Sequence, residues 1–284
     1  MPTLQHGNLC IDYADAGQGP PVLLLHSSAS GNRQWRRLID RLSPRYRVIA
    51  PNLPGNGATT AWHGQRPQML ADAAEVVFGL IEGLRLDEPL HLVGHSYGGA
   101  VALHAAHMLG ERAAKLVLYE PMLPGLLKAH GRLQAAAETV ALHAHLQRCA
   151  RSGDWLAAAE RFTEYFNGDT AWAATPAPRR DLIAGLLPAN LPEWDAAMAP
   201  MRAEGFAGVR AQTLLMRGRA TRPALKEMAA VLYQHFRHWR LIDVADCGHM
   251  APLAQPEVIN AWIADFLDDD ADCADRTAEV TTAV

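Results

Sequence analysis

The sequence has little that would point to a membrane or to nucleic acid. None of its apolar runs reaches the length that crosses a bilayer, and it has no long basic run. Its net charge of -4 at pH 7 also argues against binding a polyanion. The first six residues, MPTLQH, show neither the basic nor the apolar region of a secretory signal. We therefore expect a cytoplasmic protein that has neither nucleic acid nor a membrane as a partner.

Cysteine is scarce and unpaired in the sequence. The four cysteines form no CxxC pair and no metal-ligand spacing, so we interpret them as free thiols: Cys10, Cys149, Cys247 and Cys273. His143 and His145 are two residues apart and would face different ways on a helix. We expect no metal site.

Hydrophobic patterning predicts alternating strands and helices over much of the chain. Residues 4–16 suggest an antiparallel hairpin, and residues 68–84 carry apolar side chains at helical spacing. Short apolar runs typical of buried strands occur at 22–25, 46–50, 115–119, 213–216 and 239–244. Such alternation indicates an α/β fold with a mostly parallel sheet covered by helices on both faces.

The alternation stops between residues 122 and 209. This stretch has helical patterns, which we expect to form short segments broken by prolines, and no clear strand. We predict a helical cap inserted at 122–209 into a core formed by 1–121 and 210–268. The acidic residues 269–284 are predicted to be a disordered tail.

A serine motif lies at the centre of this pattern. An apolar run enters Gly94-His95-Ser96-Tyr97-Gly98, and a helix rich in small residues leaves it. This is the G-x-S-x-G pattern, in which a tight strand-to-helix turn exposes the serine hydroxyl and needs glycine on either side. A bare G-x-S-x-G is weak evidence, so its position between a predicted strand and helix matters.

Three further short motifs accompany it in order: His26-Ser27-Ser28, the segment 52–57 (NLPGNG) and Cys247-Gly248-His249. With these motifs the chain resembles the α/β-hydrolase family over residues 8–268. The resemblance implies a twisted, mostly parallel sheet with helices on both faces and an inserted helical cap. It also implies a serine-nucleophile, esterase-like member of the family.

The resemblance implies that Ser96 is the nucleophile and His249 its base, because a serine hydroxyl is a weak nucleophile without one. The place where the family usually has the orienting acid holds Thr221, and nothing in 219–223 is acidic. Glu120 ends the strand after the serine motif, where the haloalkane dehalogenase-like branch carries its acid. We therefore expect Glu120 to be the acid, with Asp246 as a second candidate.

The resemblance also assigns the oxyanion hole to the backbone N–H groups of Ser28 and Tyr97, although Ser27 replaces the family's glycine. We expect His26 to organise this loop beside the substrate. Further candidates for the substrate pocket are Met122, Trp155, Phe162, Tyr165, Phe166 and Trp172, although aromatic residues at helical spacing are more often core.

These assignments predict a hydrolase that cleaves a small or medium carboxylic ester through an acyl-enzyme on Ser96. The partner would be an ester-like small molecule, no cofactor would be needed, and a homodimer is compatible with the sequence. Fold and triad do not choose among an ester, a lactone, a thioester and a carbon–carbon bond. A non-catalytic, ligand-binding member of the fold is the alternative of a different class.

Overall fold

The computed structural model describes residues 1–269 of the chain, so the predicted tail lies outside the described residues from 270 onward. Within the described part, eight strands form one sheet. Their bounds are β1 Thr3–His6, β2 Leu9–Ala16, β3 Pro21–Leu25, β4 Arg47–Pro51, β5 Leu90–His95, β6 Ala113–Tyr119, β7 Gln212–Gly218 and β8 Arg240–Val244.

The sheet has the order β1-β2-β4-β3-β5-β6-β7-β8. The first hairpin joins it antiparallel, with β1 paired to β2 and β2 paired to β4. All other neighbours are parallel. Strand β5 lies in the middle, between β3 and β6, so its carboxyl end meets those of its neighbours at the same edge. The predicted α/β fold with a mostly parallel sheet is confirmed.

Eleven α-helices occur in the described residues. Those before β6 and directly beside the sheet are α1 Arg36–Leu42, α2 Leu70–Gly83 and α3 Tyr97–Leu109. Those between β6 and β7 are α4 Gly125–Ala129, α5 Leu133–Ser152, α6 Trp155–Asn167, α7 Ala171–Ala174 and α8 Ala177–Met198. The last three are α9 Pro223–His235, α10 Ala251–Ala254 and α11 Pro256–Asp268.

Successive residues of a strand pack in two apolar clusters, one on each face of the sheet. In β3, Leu23 and Leu25 pack with α2 and α3, whereas Val22 and Leu24 pack with α1 and α11. This follows from the two-residue repeat of a strand that is covered on both faces. The two layers of helices therefore hold the sheet rigidly beneath the loops that leave its carboxyl edge.

A third apolar cluster joins the helices between β6 and β7 to α9. The expectation of short segments broken by prolines is wrong for α8, which is continuous over Ala177–Met198 and contains Pro188 and Pro192. A proline inside a helix removes one backbone hydrogen bond at a cost of about 3 kcal/mol. Burial of Leu187 and Trp194 on this helix offsets that cost. Within residues 1–269 no helix is both long and apolar enough to cross a bilayer.

Candidate active site

Ser96 lies at the turn between β5 and α3, at the carboxyl edge of the sheet. Its backbone has φ 56 and ψ -121, a strained conformation that projects the side chain away from the strand. The flanking glycines permit this turn. A Cβ at Gly94 would overlap the carbonyl oxygen of Gly98, and one at Gly98 would overlap those of Leu25 and His26.

His249 follows β8 and places its ring between Ser96 and Glu120. Its Nε2 lies 3.0 Å from Ser96 Oγ, and its Nδ1 lies 2.7 Å from Glu120 Oε2. A carboxylate only accepts, so Nδ1 carries the proton and Nε2 is left to accept from the serine hydroxyl. This is the tautomer that a general base needs.

Glu120 directly follows β6, has φ 44 and is 1% exposed. The backbone N–H of Gly218 donates to its Oε1 at 2.7 Å, and the hydroxyl of Thr221 donates to its Oε2 at 2.9 Å. Both carboxylate oxygens are therefore hydrogen-bonded and fixed relative to His249. Asp246, the second candidate for the acid, is an exposed turn residue that forms no hydrogen bond with His249 in the described chain.

The backbone around His249 is held by a buried histidine next to Ser96. Gln34 Nε2 donates to His95 Nδ1 at 3.1 Å, so His95 Nε2–H donates to the His249 carbonyl at 2.9 Å. Burial, followed by the neighbouring His249, lowers the pKa of His95 well below its ordinary value and keeps the ring neutral. Tyr119 adds a hydrogen bond of 2.7 Å from its hydroxyl to the Gly248 carbonyl.

Two backbone N–H groups border the serine. Tyr97 is the first residue of α3, where helical N–H groups have no partner within the helix. The N–H groups of Ser28 and Tyr97 donate no hydrogen bond to another residue of the described chain, and both residues line the cavity at Ser96. Both N–H groups are therefore available to an oxygen bound there.

The cavity above Ser96 lies between the sheet edge and helices α6 and α8. Its empty space of about 370 Å³ includes open solvent at the mouth. Predicted pocket residues Met122, Phe162 and Phe166 line it, together with Trp194, Ala197 and Met250. The ring of Phe166 stacks on His249 with centroids 4.7 Å apart. Most of the surface that a substrate would contact is therefore apolar.

The other predicted pocket residues lie elsewhere. His26 is fully buried under the loop, where its ring hydrogen-bonds the Ser27 carbonyl and accepts from the Leu53 N–H at 2.9 Å. Trp155 and Trp172 pack in the apolar cluster of the inserted helices. Neither tryptophan lines the cavity, because the hydrophobic interior of these helices takes up both indole rings.

Glu193 lines the cavity but was not predicted from the sequence. This glutamate lies on α8, is 2% exposed and lines the cavity among apolar side chains. Burial raises its pKa to about 7, against the opposing effect of hydrogen bonds from Ser28, Asn190 and Asn56. Nothing in the sequence marks this position, because α8 has no clear amphipathic pattern to show which residues face inward.

One group of side chains outside the cavity could approach a metal ion. In the described residues, ligand atoms of His130, Glu204 and His235 lie within 4.8 Å of one another. However, His130 Nε2 accepts a hydrogen bond from the Ala203 N–H at 3.1 Å, and Arg202 lies 3.4 Å from the Glu204 carboxylate. Both contacts oppose a cation at this place.

Comparison with known proteins agrees with the geometry. A sequence model of the Alpha/beta hydrolase family matches residues 22–262. The chain belongs to this family. It is 27% identical over 266 residues to the 2-hydroxy-6-oxo-2,4-heptadienoate hydrolase of Pseudomonas putida. This alignment covers 92% of our chain and 94% of the relative. The chain is 29% identical over 259 residues to Lipase LipV of Mycobacterium tuberculosis, with coverage of 85% and 91%.

Solved structures show the same fold. The enol-lactonase of Burkholderia xenovorans LB400 superposes with a TM-score of 0.76 at 18% identity, over 94% of this chain and 99% of that one. At this identity the likeness concerns the fold alone. The two relatives are named a dienoate hydrolase and a lipase. Family membership therefore makes the protein a hydrolase without choosing the bond.

Proposed function

We propose that the protein hydrolyses small or medium carboxylic esters through an acyl-enzyme on Ser96. The observation that carries this proposal is the continuous hydrogen-bond chain from Ser96 Oγ through His249 to Glu120. A nucleophile, a base in the right tautomer and a buried orienting carboxylate are what acyl transfer needs. The apolar cavity suits an ester with an apolar acyl or alcohol part.

In acylation, Ser96 Oγ attacks the ester carbonyl while His249 Nε2 takes the hydroxyl proton. The negative charge that forms on the carbonyl oxygen is held by the N–H groups of Ser28 and Tyr97. His249 then gives its proton to the leaving alcohol as the carbon–oxygen bond breaks. Glu120 stabilises the imidazolium throughout, because its carboxylate faces Nδ1.

In deacylation, a water molecule takes the place of the alcohol. His249 removes a proton from the water, the hydroxide attacks the acyl carbon, and the acid leaves as Ser96 regains its proton. The stacked ring of Phe166 limits the positions from which water reaches His249. Neither step needs a metal or an organic cofactor.

The same chain of hydrogen bonds argues against a non-catalytic binding protein. The vacant acid position at Thr221 would suggest a degraded triad if Glu120 pointed elsewhere. Instead, the Glu120 carboxylate lies 2.7 Å from the His249 ring and accepts a hydrogen bond from the Thr221 hydroxyl. An arrangement of this kind is costly to bury and serves no purpose in apolar ligand binding.

Carbon–carbon bond hydrolysis is the second candidate. It is favoured by the similarity to the Pseudomonas putida dienoate hydrolase over almost the whole of both chains. Against it, no arginine or lysine of the described residues lines the cavity to hold the carboxylate of such a substrate. We therefore place ester hydrolysis first.

The deciding experiment uses p-nitrophenyl esters of acetate, butanoate and octanoate with the wild type and Ser96→Ala. We expect turnover by the wild type, its loss in Ser96→Ala, and labelling of the wild type alone by a fluorophosphonate. A parallel assay follows loss of the chromophore of 2-hydroxy-6-oxohepta-2,4-dienoate. Cleavage of this compound without ester turnover would establish the second candidate. No turnover and no labelling would overturn both.

A further inference from the structure

Glu193 is a buried carboxyl group that the proposed mechanism does not use. It projects from α8 into the cavity that contains Ser96 and His249, and it is 2% exposed. Its hydrogen-bond partners are neutral donors. Asn56 Nδ2 lies 3.5 Å from Oε1, and Asn190 Nδ2 lies 3.3 Å from Oε2. These bonds are long and leave acceptor capacity on both oxygens.

In the described part of the chain, no lysine or arginine at the cavity balances this carboxyl group. The one titratable nitrogen group that lines the cavity within residues 1–269 is His249, and its ring is paired with Glu120. A carboxylate buried without an opposite charge costs several kcal/mol, so such groups take up a proton or meet a partner. Burial accordingly raises the pKa of Glu193 to about 7.

The side chain also reaches the loop that borders the oxyanion hole. Ser28 lines the same cavity as Glu193, and its side chain opposes the rise in the pKa of that carboxyl group. The Ser28 N–H is one of the two groups assigned to the oxyanion. Glu193 therefore lies beside the place where the scissile carbonyl would bind, on the side of the inserted helices. The other side chains from those helices at the cavity are apolar: Phe162, Phe166, Trp194 and Ala197.

We propose that Glu193 is a specificity-determining residue that accepts a hydrogen bond from a hydroxyl or ammonium group of the substrate and disfavours substrates with a carboxylate there. The proposal rests on ester hydrolysis at Ser96 and names the substrate class of that site. A hydroxyl or ammonium group of the substrate would use the acceptor capacity that Asn56 and Asn190 leave on Glu193, and an ammonium group would also balance its charge. At a pH above its pKa of about 7, Glu193 is ionised, and a substrate carboxylate would meet a like charge in a dry cavity, where the two cannot both stay ionised.

Hydrogen bonds to charged groups change affinity by roughly tenfold to a hundredfold. We therefore expect discrimination of that size between a substrate bearing a donor and one bearing a carboxylate. A neutral apolar ester should lie between them, because it neither satisfies nor repels Glu193.

The test uses two matched series of esters, one for each side of the scissile bond. The acyl series consists of the phenyl esters of butanoate, 3-hydroxybutanoate and 3-aminobutanoate, together with monophenyl succinate. The alcohol series consists of the butanoates of propanol, ethylene glycol, 2-(dimethylamino)ethanol and glycolate. The hydroxyl and amine members distinguish the two donors. The value of kcat/KM is measured for the wild type and for Glu193→Gln at about pH 8, where most of Glu193 is ionised, with spontaneous hydrolysis subtracted.

Asp181→Asn is the matched control, because Asp181 is an exposed carboxylate on the same helix. It removes the same charge from α8 without touching the cavity. We expect a donor-over-carboxylate preference of about tenfold or more in at least one series, reduced about tenfold by Glu193→Gln and retained by Asp181→Asn. A preference absent from both series, or one that survives Glu193→Gln, overturns the proposal.

Binding in the Ser96→Ala background separates this proposal from the proposed function. There the same esters bind without turnover, and the rise in Tm that each one causes is compared with and without Glu193→Gln. If the wild type cleaves none of the esters, ester hydrolysis fails. The Tm series still tests Glu193. A larger rise in Tm with the donor esters that disappears in Glu193→Gln supports the subsite, and equal rises with all the esters exclude it.

Discussion

Thr221 donates a hydrogen bond of 2.9 Å from its hydroxyl to the carboxylate of Glu120. The loop after β7, where the family usually carries its acid, thus hydrogen-bonds a carboxylate that directly follows β6 instead. The same oxygen, Oε2, lies 2.7 Å from His249 Nδ1. Thr221, Glu120 and His249 therefore form one hydrogen-bonded group.

Replacing the acid at the end of β6 should remove most of the activity. In Glu120→Gln the amide can turn its NH₂ toward His249 Nδ1 and favour the wrong tautomer. We expect kcat/KM for p-nitrophenyl butanoate to fall by about 10³-fold to 10⁴-fold. Asp246→Asn is the control and should stay within about twofold of the wild type, since surface substitutions usually have small effects. A loss in Asp246→Asn with Glu120→Gln active would reverse the assignment.

The acid should be movable between the two loops. Since the Thr221 hydroxyl touches the oxygen that faces His249, an aspartate there can reach the same ring. We expect kcat/KM of Glu120→Gln/Thr221→Asp to be at least about tenfold higher than that of Glu120→Gln, because the new carboxylate restores part of the electrostatic support for His249. The matched variant Glu120→Gln/Thr221→Asn carries no charge and should recover nothing. Equal rates for the two double variants would contradict the expectation.

The turn at the nucleophile should tolerate no side chain at its second glycine. Because a Cβ at Gly98 overlaps two backbone carbonyl oxygens, Gly98→Ala should lower the free energy of unfolding by about 3 kcal/mol, the upper range for overpacking. Gly185→Ala is the control, since a Cβ there meets nothing within 4 Å and the position is inside α8. It should stabilise the protein by about 0.5–1 kcal/mol. Urea unfolding measures both, and a neutral Gly98→Ala would refute the steric argument.

Stability should fall in acid because of His26. Its burial lowers its pKa to about 4 from the ordinary 6.5. As the pH falls from 6.5 toward 4, the unfolded chain therefore binds a proton that the folded chain does not, and stability is lost. At pH 5 this loss is about 2 kcal/mol, from 1.36 kcal/mol for each pKa unit.

The loss is measured by urea unfolding at pH 7 and pH 5 in the wild type and in His26→Gln. The variant is less stable at both pH values, since it loses the hydrogen bond to Leu53, but its pH-dependent loss should be smaller by about 2 kcal/mol. The half-buried His91 and the buried His95, whose pKa values are also lowered, contribute equally to both proteins. Identical losses in the two proteins would show that His26 has no part in the acid sensitivity.

Much of the candidate site could be predicted because its chemistry is tied to local backbone requirements. Gly94 and Gly98 fix a sharp turn around Ser96, and His249 follows a strand and a glycine. Trp155 and Trp172 could not be separated from true cavity residues such as Phe162. Helical spacing shows which residues share a face, but it does not show whether that face packs on neighbouring helices or lines a cavity.

The sequence by itself determined the sheet, the serine turn and the family, because strand periodicity and glycine-dependent turns are local properties. Only the tertiary structure decided which oxygen Thr221 reaches, that α8 continues through Pro188 and Pro192, and that Glu193 faces the cavity without a cation. These relationships join residues far apart in the chain. They depend on how the inserted helices pack over the sheet, which no local pattern encodes.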